Sequence, residues 1–225
     1  INDYSFKFDY LNDYRVEFLG FNKKSFLINY SKEHLVQRGN PVLKFLDLEK
    51  INLLPEKEFQ PNNSDYIAIH AGADFIGRRW PVENFKSIIK FLLMEFKDSI
   101  KQVYLLGGNQ DYQINEQISE NIQHCINIAG KRTLKEVCYL IQGARYFIGN
   151  DSGPLHMAAF LGIPVIGFYG PNLPEISGPY TEKRKVFFKK FDCNPCNQKS
   201  CNINYQCIKS NSVKEVTEFL EELEN

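Results

Sequence analysis

Residues able to grip a phosphate gather at three points of this chain. Asp151-Ser152-Gly153-Pro154-Leu155-His156 stands where a helical pattern begins. Unpaired N–H groups and the helix dipole make such a terminus an anion site. Ser152 offers a hydroxyl, Gly153 lets backbone approach closely, and His156, one turn on, adds a donor or partial positive charge. Arg78 and Arg79 precede Trp80, and a guanidinium matches phosphate oxygens bidentately. Asp111 follows Gly107-Gly108, where a carboxylate can accept bonds from ribose hydroxyls. Each feature also has a plain structural reading: Asp151 or Ser152 as a helix cap, the Arg pair as solvated surface, Asp111 as the cap of the next helix. The case for chemistry therefore rests on whether the three loops share one edge of a sheet.

The elements between them predict that they do. From residue 60, β-rich runs alternate with helical patterns, as in βαβ units feeding a parallel sheet, so the fold class is α/β. Tyr66 to His70 reads as a strand, and Val82, Phe85, Ile89, Leu92 and Phe96 as one face of a helix opening at Pro81. Gln102 to Leu106 is a second strand, followed by a polar helix from about Asp111 to Glu120. After Ile126-Asn127-Ile128, Thr133 and Glu136 form a capping box for a helix that Gly143 stops. Tyr146 to Gly149 is a strand, Pro154 to Leu161 a helix stopped by Gly162, and Pro164 to Phe168 a strand. Ser212 and Glu215 cap a last helix, whose acidic exposed face reads as solvated. In open parallel sheets ligands bind beyond the carboxyl ends of the strands, which is where all three loops fall.

Residues 1–60 read differently. Tyr4 to Phe21 is aromatic and mixed in charge, Val42, Phe45 and Leu46 suggest a short helix, and Gln60-Pro61-Asn62-Asn63-Ser64 is a polar linker. A boundary is expected near 55–63, separating 1–60 from a Rossmann-like domain over 61–225. Tyr14, Arg15, Phe18, Phe21, Lys23 and Lys24 form either a membrane- or acceptor-facing surface or part of a domain's core and rim.

Composition removes several classes. Lys+Arg and Asp+Glu both number 27, so no global field favours nucleic acid or an anionic membrane. The longest apolar run, Ala158 to Tyr169, is shorter than the ~20 residues that span a bilayer. The first twenty residues are too charged for a secretory segment, which points to a cytoplasmic location. The chain opens on Ile1, and we expect a piece of something longer. Gly-x-Gly-x-x-Gly, the Walker pattern, His-Glu-x-x-His and Gly-x-Ser-x-Gly do not occur. A diphosphate held by helix N–H groups and Arg, without an acidic metal cluster, suits a metal-independent transfer that releases a nucleotide.

The six cysteines form two groups. Cys125 and Cys138 lie in apolar surroundings and read as buried, inert thiols. Cys193, Cys196, Cys201 and Cys207 fall within fifteen residues. Their spacing is compatible with a structural zinc site, with disulfides or with free thiols.

His70-Ala71-Gly72-Ala73, Arg79-Trp80-Pro81, Leu106-Gly107-Gly108, the run Asn150 to Ala159 with its Asp-Ser-Gly-x-x-His-x-Ala-Ala pattern, and Phe168-Tyr169-Gly170-Pro171 resemble glycosyltransferase family 9, the lipopolysaccharide heptosyltransferases and their relatives. The likeness runs in order from about residue 64 to 223. It implies a GT-B fold, in which 61–225 is the donor-binding domain and 1–60 the last part of an acceptor-binding domain. It further implies an inverting transfer without a metal cofactor, most simply of heptose from ADP-heptose to a lipopolysaccharide core. The partners implied are a nucleotide-sugar donor and a lipid-linked or oligosaccharide acceptor, with no nucleic acid and with peripheral contact at the inner membrane face. Position by position, Ala73, Asp151, Ser152, Gly153, Pro154 and His156 would surround the diphosphate and sugar, Asp111 the ribose, and Arg132 and Thr133 the adenine. Arg78 stands where the family more often has a Lys that neutralises phosphate, which keeps the charge and changes its reach. The family's general base lies near the start of the acceptor domain, and no residue here aligns with it. The alternatives are a relative using another nucleotide sugar, a nucleotide-binding module without transfer, and a zinc-stapled interaction module.

Overall fold

The computed structural model describes residues 60–198 and 200–224, His34 and Gln37, and the backbone of three short N-terminal strands. Contacts divide the chain into two units, 1–54 with 175–177, and 55–174 with 178–225. In the first unit β1 (Ser5–Phe8), β2 (Arg15–Leu19) and β3 (Lys24–Leu27) form an antiparallel sheet with Ser5 opposite Leu19 and Arg15 opposite Leu27. No strand was expected there, although Ser5-Phe6-Lys7-Phe8 and Arg15-Val16-Glu17-Phe18 alternate polar with apolar residues as half-buried strands do. The helix expected around Val42 to Leu46 lies outside the described residues, as do Tyr14, Phe21 and Lys23.

The second unit is built on β4 (Tyr66–His70), β5 (Gln102–Leu105), β6 (Cys125–Asn127), β7 (Phe147–Asn150), β8 (Val165–Phe168) and β9 (Arg184–Phe187). Every strand pair in it is parallel, in the order β6-β5-β4-β7-β8-β9. This is the doubly wound order in which the chain reverses direction across the sheet between its first and fourth strands. That switch point lies between β4 and β7, where His70 pairs with Gly149. The sixth strand, β9, was missed in the sequence. It is an edge strand, Arg-Lys-Val-Phe, with its first three residues only half-buried, so it lacks the apolar run that marks a central strand.

Helices α1 (Val82–Glu95), α2 (Tyr112–Ser119), α3 (Leu134–Gln142), α4 (Gly153–Phe160), α5 (Gln206–Lys209) and α6 (Val213–Glu224) accompany the strands. The two expected capping boxes form: Glu136 N–H donates to Thr133 Oγ1 while Thr133 N–H donates to Glu136, and Ser212 and Glu215 exchange the same pair. Alternation along β4 sends Ile67 and Ile69 into one buried cluster with Trp80, Phe85 and Phe168, and Ala68 into the other with Leu106, Phe147 and Leu155. The sheet is therefore buried on both faces, as parallel sheets require. Among the described residues no helix is long and apolar enough to cross a membrane.

The acidic last helix is less uniformly solvated than its sequence suggested. The Glu224 side chain is completely buried and pairs with Arg145, whose Nε and Nη2 both donate to its carboxylate at 2.9 Å. Arg145 also donates to the carbonyls of Asn62 and Ser64, so this pair anchors the end of α6 to the segment leading into β4.

Candidate functional site

The loops after β4, β5 and β7 converge on one cleft of about 400 Å³ beside the switch point. His70, Ala73, Arg78, Arg79, Asp111, Arg132, Asp151, Ser152, Gly153 and Pro154 all line it. Three loops that are far apart in sequence thus share one edge, because the parallel order places the carboxyl ends of β4, β5 and β7 side by side.

Asn150 sets the position of the first loop. Fully buried at the end of β7, it accepts the Trp80 backbone N–H at 3.0 Å and donates to the Ala71 carbonyl at 2.7 Å. Trp80 is locked on its other side, its ring stacked on Phe168 with centroids 3.9 Å apart and its Nε1–H donated to the Asn211 carbonyl. The segment from Ala71 to Trp80 is therefore clamped at both ends, and Arg78 and Arg79 hang between the clamps. Arg79 Nε donates to Ala73 O at 2.7 Å, and Arg78 Nε donates to Gln198 Oε1 at 2.9 Å.

Ser152 occupies the N-cap position of α4, yet its hydroxyl makes no cap bond. The Oγ lies 3.1 Å from His70 Nδ1 instead. The capping reading of Ser152 is therefore only half right: its backbone caps and its side chain turns to the cleft. A Cβ built on Gly153 would meet nothing within 4 Å, so packing does not demand glycine there and the space over the helix N-terminus is open.

Asp151 and Asp111 are nearly buried, at 3% and 6% exposure. Asp151 Oδ2 accepts from Asn172 Nδ2 and lies 3.8 Å from Arg78 Nε, and its Oδ1 lies 3.7 Å from His156 Nε2. Burial first, and then the charge of Asp151, pushes the nearby Tyr169 phenol well above its usual range. Asp151 is thus a hub that holds Arg78 and His156, since a bare carboxylate aimed at a phosphate would repel it.

Asp111 Oδ2 accepts the Gly108 N–H at 2.9 Å and lies 3.5 Å from His70 Nε2. Burial alone would raise this carboxyl; the bond and charge of His70, the Gly108 N–H and the Arg79 guanidinium outweigh it and hold the group below the ordinary carboxylate range. Gly107, at φ +154°, and Gly72 leave room for this carboxylate, because a Cβ on either would collide with it. The side chain that the sequence suggested for a ribose is accordingly turned inward to His70.

Two of the sequence-selected residues do not line the cleft. Thr133 spends its hydroxyl and its N–H on the capping box with Glu136, and His156 is exposed on the outer turn of α4. Arg132 does line it, beside an apolar wall of Leu134, Val137, Met157 and Pro154. Three participants were missed. His70 carried a weak signal, a histidine ending an otherwise apolar buried strand, while Asn150 and Gln198 gave none, because their partners lie 70 and 120 residues away.

The four tail cysteines surround a second cavity of about 390 Å³ that also reaches Asp74, Arg79 and Gln198. All six cysteines are unpaired. Burial raises the Cys207 thiol and its neighbours Cys193, Cys201 and Cys196 add to the effect, yet among the described residues no three donors stand at metal-binding distance. Cys125, buried against β5, has its thiol pushed up to about 12 by desolvation, as expected of an inert core cysteine. Cys138 is only half-buried, with its sulfur 3.4 Å from that of Met157.

A family model described as Glycosyltransferase family 9 (heptosyltransferase) matches residues 20–206. Lipopolysaccharide heptosyltransferase 2 of Salmonella typhimurium is 33% identical over 126 residues, which cover 53% of this chain and 35% of that protein. Among solved structures, the glycosyl transferase family 9 protein from Veillonella parvula superposes with a TM-score of 0.73 at 20% identity, covering 91% of this chain and 63% of that one. The E. coli heptosyltransferase WaaC with ADP gives 0.65 at 19% identity, covering 88% and 59%. The chain spans less than two thirds of the length of each of these relatives. The structural likeness establishes the GT-B type of Rossmann-like fold.

Proposed function

The chain belongs to glycosyltransferase family 9, and from that premise we propose that the cleft is the donor site of a glycosyl transfer, holding the diphosphate of an ADP-activated heptose. The observation that carries this reading is the convergence of Arg78, Ser152 and the open N-terminus of α4 on one cleft at the switch point. The helix end and the guanidinium supply positive potential where a diphosphate gathers charge. The wall of Leu134, Val137 and Met157 offers an apolar face for a purine, with Arg132 at its rim. ADP as the nucleotide is supported by the solved relative that carries it.

In the proposed reaction an acceptor hydroxyl attacks the anomeric carbon from the face opposite the diphosphate. The bond from that carbon to the diphosphate oxygen breaks, and configuration inverts. The leaving diphosphate takes the electron pair, and Arg78, the Ser152 hydroxyl and the α4 terminus stabilise it, which lowers the barrier without a metal. The acceptor is proposed to be a lipopolysaccharide core or related surface glycan. Its proton passes to a base supplied from outside the 55–225 unit.

Calorimetric titration with ADP, with UDP and GDP for comparison, tests this. Selective ADP binding that weakens in Arg78→Ala and Ser152→Ala supports the donor site. A correctly folded chain that binds none of the three overturns it.

The second cavity favours an additional reading, that Cys193, Cys196, Cys201 and Cys207 hold a structural zinc. Four thiols around one cavity are a donor set that suits zinc. Among the described residues no group of three donors is arranged to hold a metal, so this reading has the four thiols drawing together when zinc binds.

A further inference from the structure

Resting on the donor-site reading, we propose that His70 is a positioning residue which decides where the Ser152 hydroxyl points its proton, so that holding the diphosphate requires His70 to take up a proton. His70 ends β4 and is nearly buried, with Ser152 Oγ 3.1 Å from Nδ1 and Asp111 Oδ2 3.5 Å from Nε2. These two neighbours leave the ring few arrangements. An ionised carboxylate only accepts, so it demands a proton on Nε2. In the neutral ring that proton is the only one, Nδ1 is a bare lone pair, and Ser152 must donate its hydroxyl proton to it. Ser152 then meets the cleft with lone pairs alone, which repel a phosphate oxygen.

Protonation reverses the bond. With a proton on each nitrogen, Nε2–H faces Asp111, Nδ1–H donates to Ser152 Oγ, and the Ser152 O–H is released to donate into the cleft. The other neutral tautomer would also free the hydroxyl, but it sets the Nε2 lone pair against the Asp111 carboxylate. A diphosphate at the α4 terminus, by preferring a donor at Ser152, therefore draws one proton from solvent onto His70. Asp111 makes this affordable, since its inward-turned charge faces the imidazolium in a buried site.

The surroundings define what else acts on the ring. Arg78, Arg79 and Asp74 come from the loop after β4, Asp111 from the turn after β5, Arg132 from the loop before α3, and Asp151 from beside Ser152. The three arginines oppose the extra charge on His70 and the three aspartates favour it. Two of those arginines are already drawn elsewhere, Arg78 toward Gln198 and Asp151, and Arg79 toward Ala73. The sign is fixed by linkage: the protonated state binds, so affinity falls as pH rises.

The test is calorimetry with ADP-heptose, whose phosphates are esterified on both sides and do not titrate near neutrality, in buffers of different ionisation enthalpy. We expect wild type to take up protons on binding the donor, up to about one per donor, with Kd rising by up to about tenfold per pH unit as pH is raised. His70→Gln and Ser152→Ala, checked for folding by circular dichroism, should bind with no uptake and a flat pH profile. Wild-type binding without proton uptake, or uptake that persists in folded His70→Gln, overturns the relay while leaving the donor site standing. Failure of wild type to bind either ADP-heptose or ADP overturns the donor-site reading, and the relay with it.

Discussion

The Asn150 side chain accepts the backbone N–H of Trp80 at 3.0 Å, in a fully buried position, and donates back to the Ala71 carbonyl nine residues upstream of that N–H. One amide thus closes the ends of the loop that presents both arginines. Asn150→Ala would leave an N–H and a C=O buried without partners, each costing about 1–3 kcal/mol. Chemical denaturation should show a loss of about 2–6 kcal/mol, and Asn150→Asp, which sets a carboxylate oxygen against the Ala71 carbonyl in a fully buried site, should lose at least as much. A variant as stable as wild type would contradict the clamp.

Gly153 and Gly72 make a contrast that separates binding from folding. A Cβ at Gly153 meets no atom within 4 Å, whereas one at Gly72 collides with the Asp111 carboxylate and lies 3.0 Å from His70 Nε2. Gly153→Ala should leave the melting temperature unchanged or slightly raised, since Ala is the better helix residue. It should weaken ADP binding about tenfold or more by filling the space over the helix terminus. Gly72→Ala should destabilise the fold by about 1–3 kcal/mol, with thermal melts of the two variants giving the comparison.

Asp111 carries a pH signature. Its carboxyl is held below the ordinary range in the folded chain, so the unfolded chain binds the proton more readily. Its contribution is therefore complete above about pH 5 and is lost as pH falls from the ordinary carboxylate value near ~3.9 through the lower folded value. Asp111→Asn should reduce stability at pH 7 and flatten the acid limb of a stability profile measured between about pH 6 and 3. An acid limb identical in the two proteins would assign that limb to other carboxylates.

The Arg145 and Glu224 pair makes the end of α6 indispensable. The Glu224 side chain has no exposure and receives two bonds at 2.9 Å, and Tyr146, whose phenol is raised first by burial and then by the Glu224 charge, sits beside it. Glu224→Ala leaves a guanidinium largely buried without its partner, a class of change that costs about 3–5 kcal/mol. Loss of the last helical turn should follow, read as a lower denaturation midpoint. Glu221→Ala, on an exposed position of the same helix, should change stability by less than about 0.5 kcal/mol.

How much of this was legible in the residues divides along range. The capping boxes at Thr133 and Ser212, the stop at Gly162 and the alternation of β4 to β8 with helices are local signals, and the α/β order follows from them. The three phosphate-gripping loops could be placed at one edge because parallel topology requires it. What side chains do at that edge was not legible. Asp111 turns inward because His70 faces it, and that requires β4 and β5 to be neighbours in space. Arg78 is aimed by Gln198, a tail residue whose approach no spacing rule foretells. Strand β9 escaped because Arg-Lys-Val-Phe lacks the clean apolar alternation that the reading depends on, whereas β1 and β2 carry that alternation in Ser5-Phe6-Lys7-Phe8 and Arg15-Val16-Glu17-Phe18 and were passed over.

The cysteines give the last prediction, since core Cys125 and the cysteines of the tail should differ in reactivity by orders of magnitude. A thiol reacts as its thiolate, and Cys125, pushed up to about 12 within the core, is almost wholly protonated at pH 8. It should resist a thiol reagent in the native protein and react only on unfolding. The tail is different: Cys193 is exposed and Cys196 and Cys201 are half-buried, so without metal these three should be modified rapidly. With zinc bound by Cys193, Cys196, Cys201 and Cys207, all four should be protected until a chelator is added, and metal analysis should return close to one zinc per chain. Rapid modification of the tail in protein carrying stoichiometric zinc would show that the metal sits elsewhere. Protection of the tail without metal, reversed by a reductant, would assign it to disulfides instead.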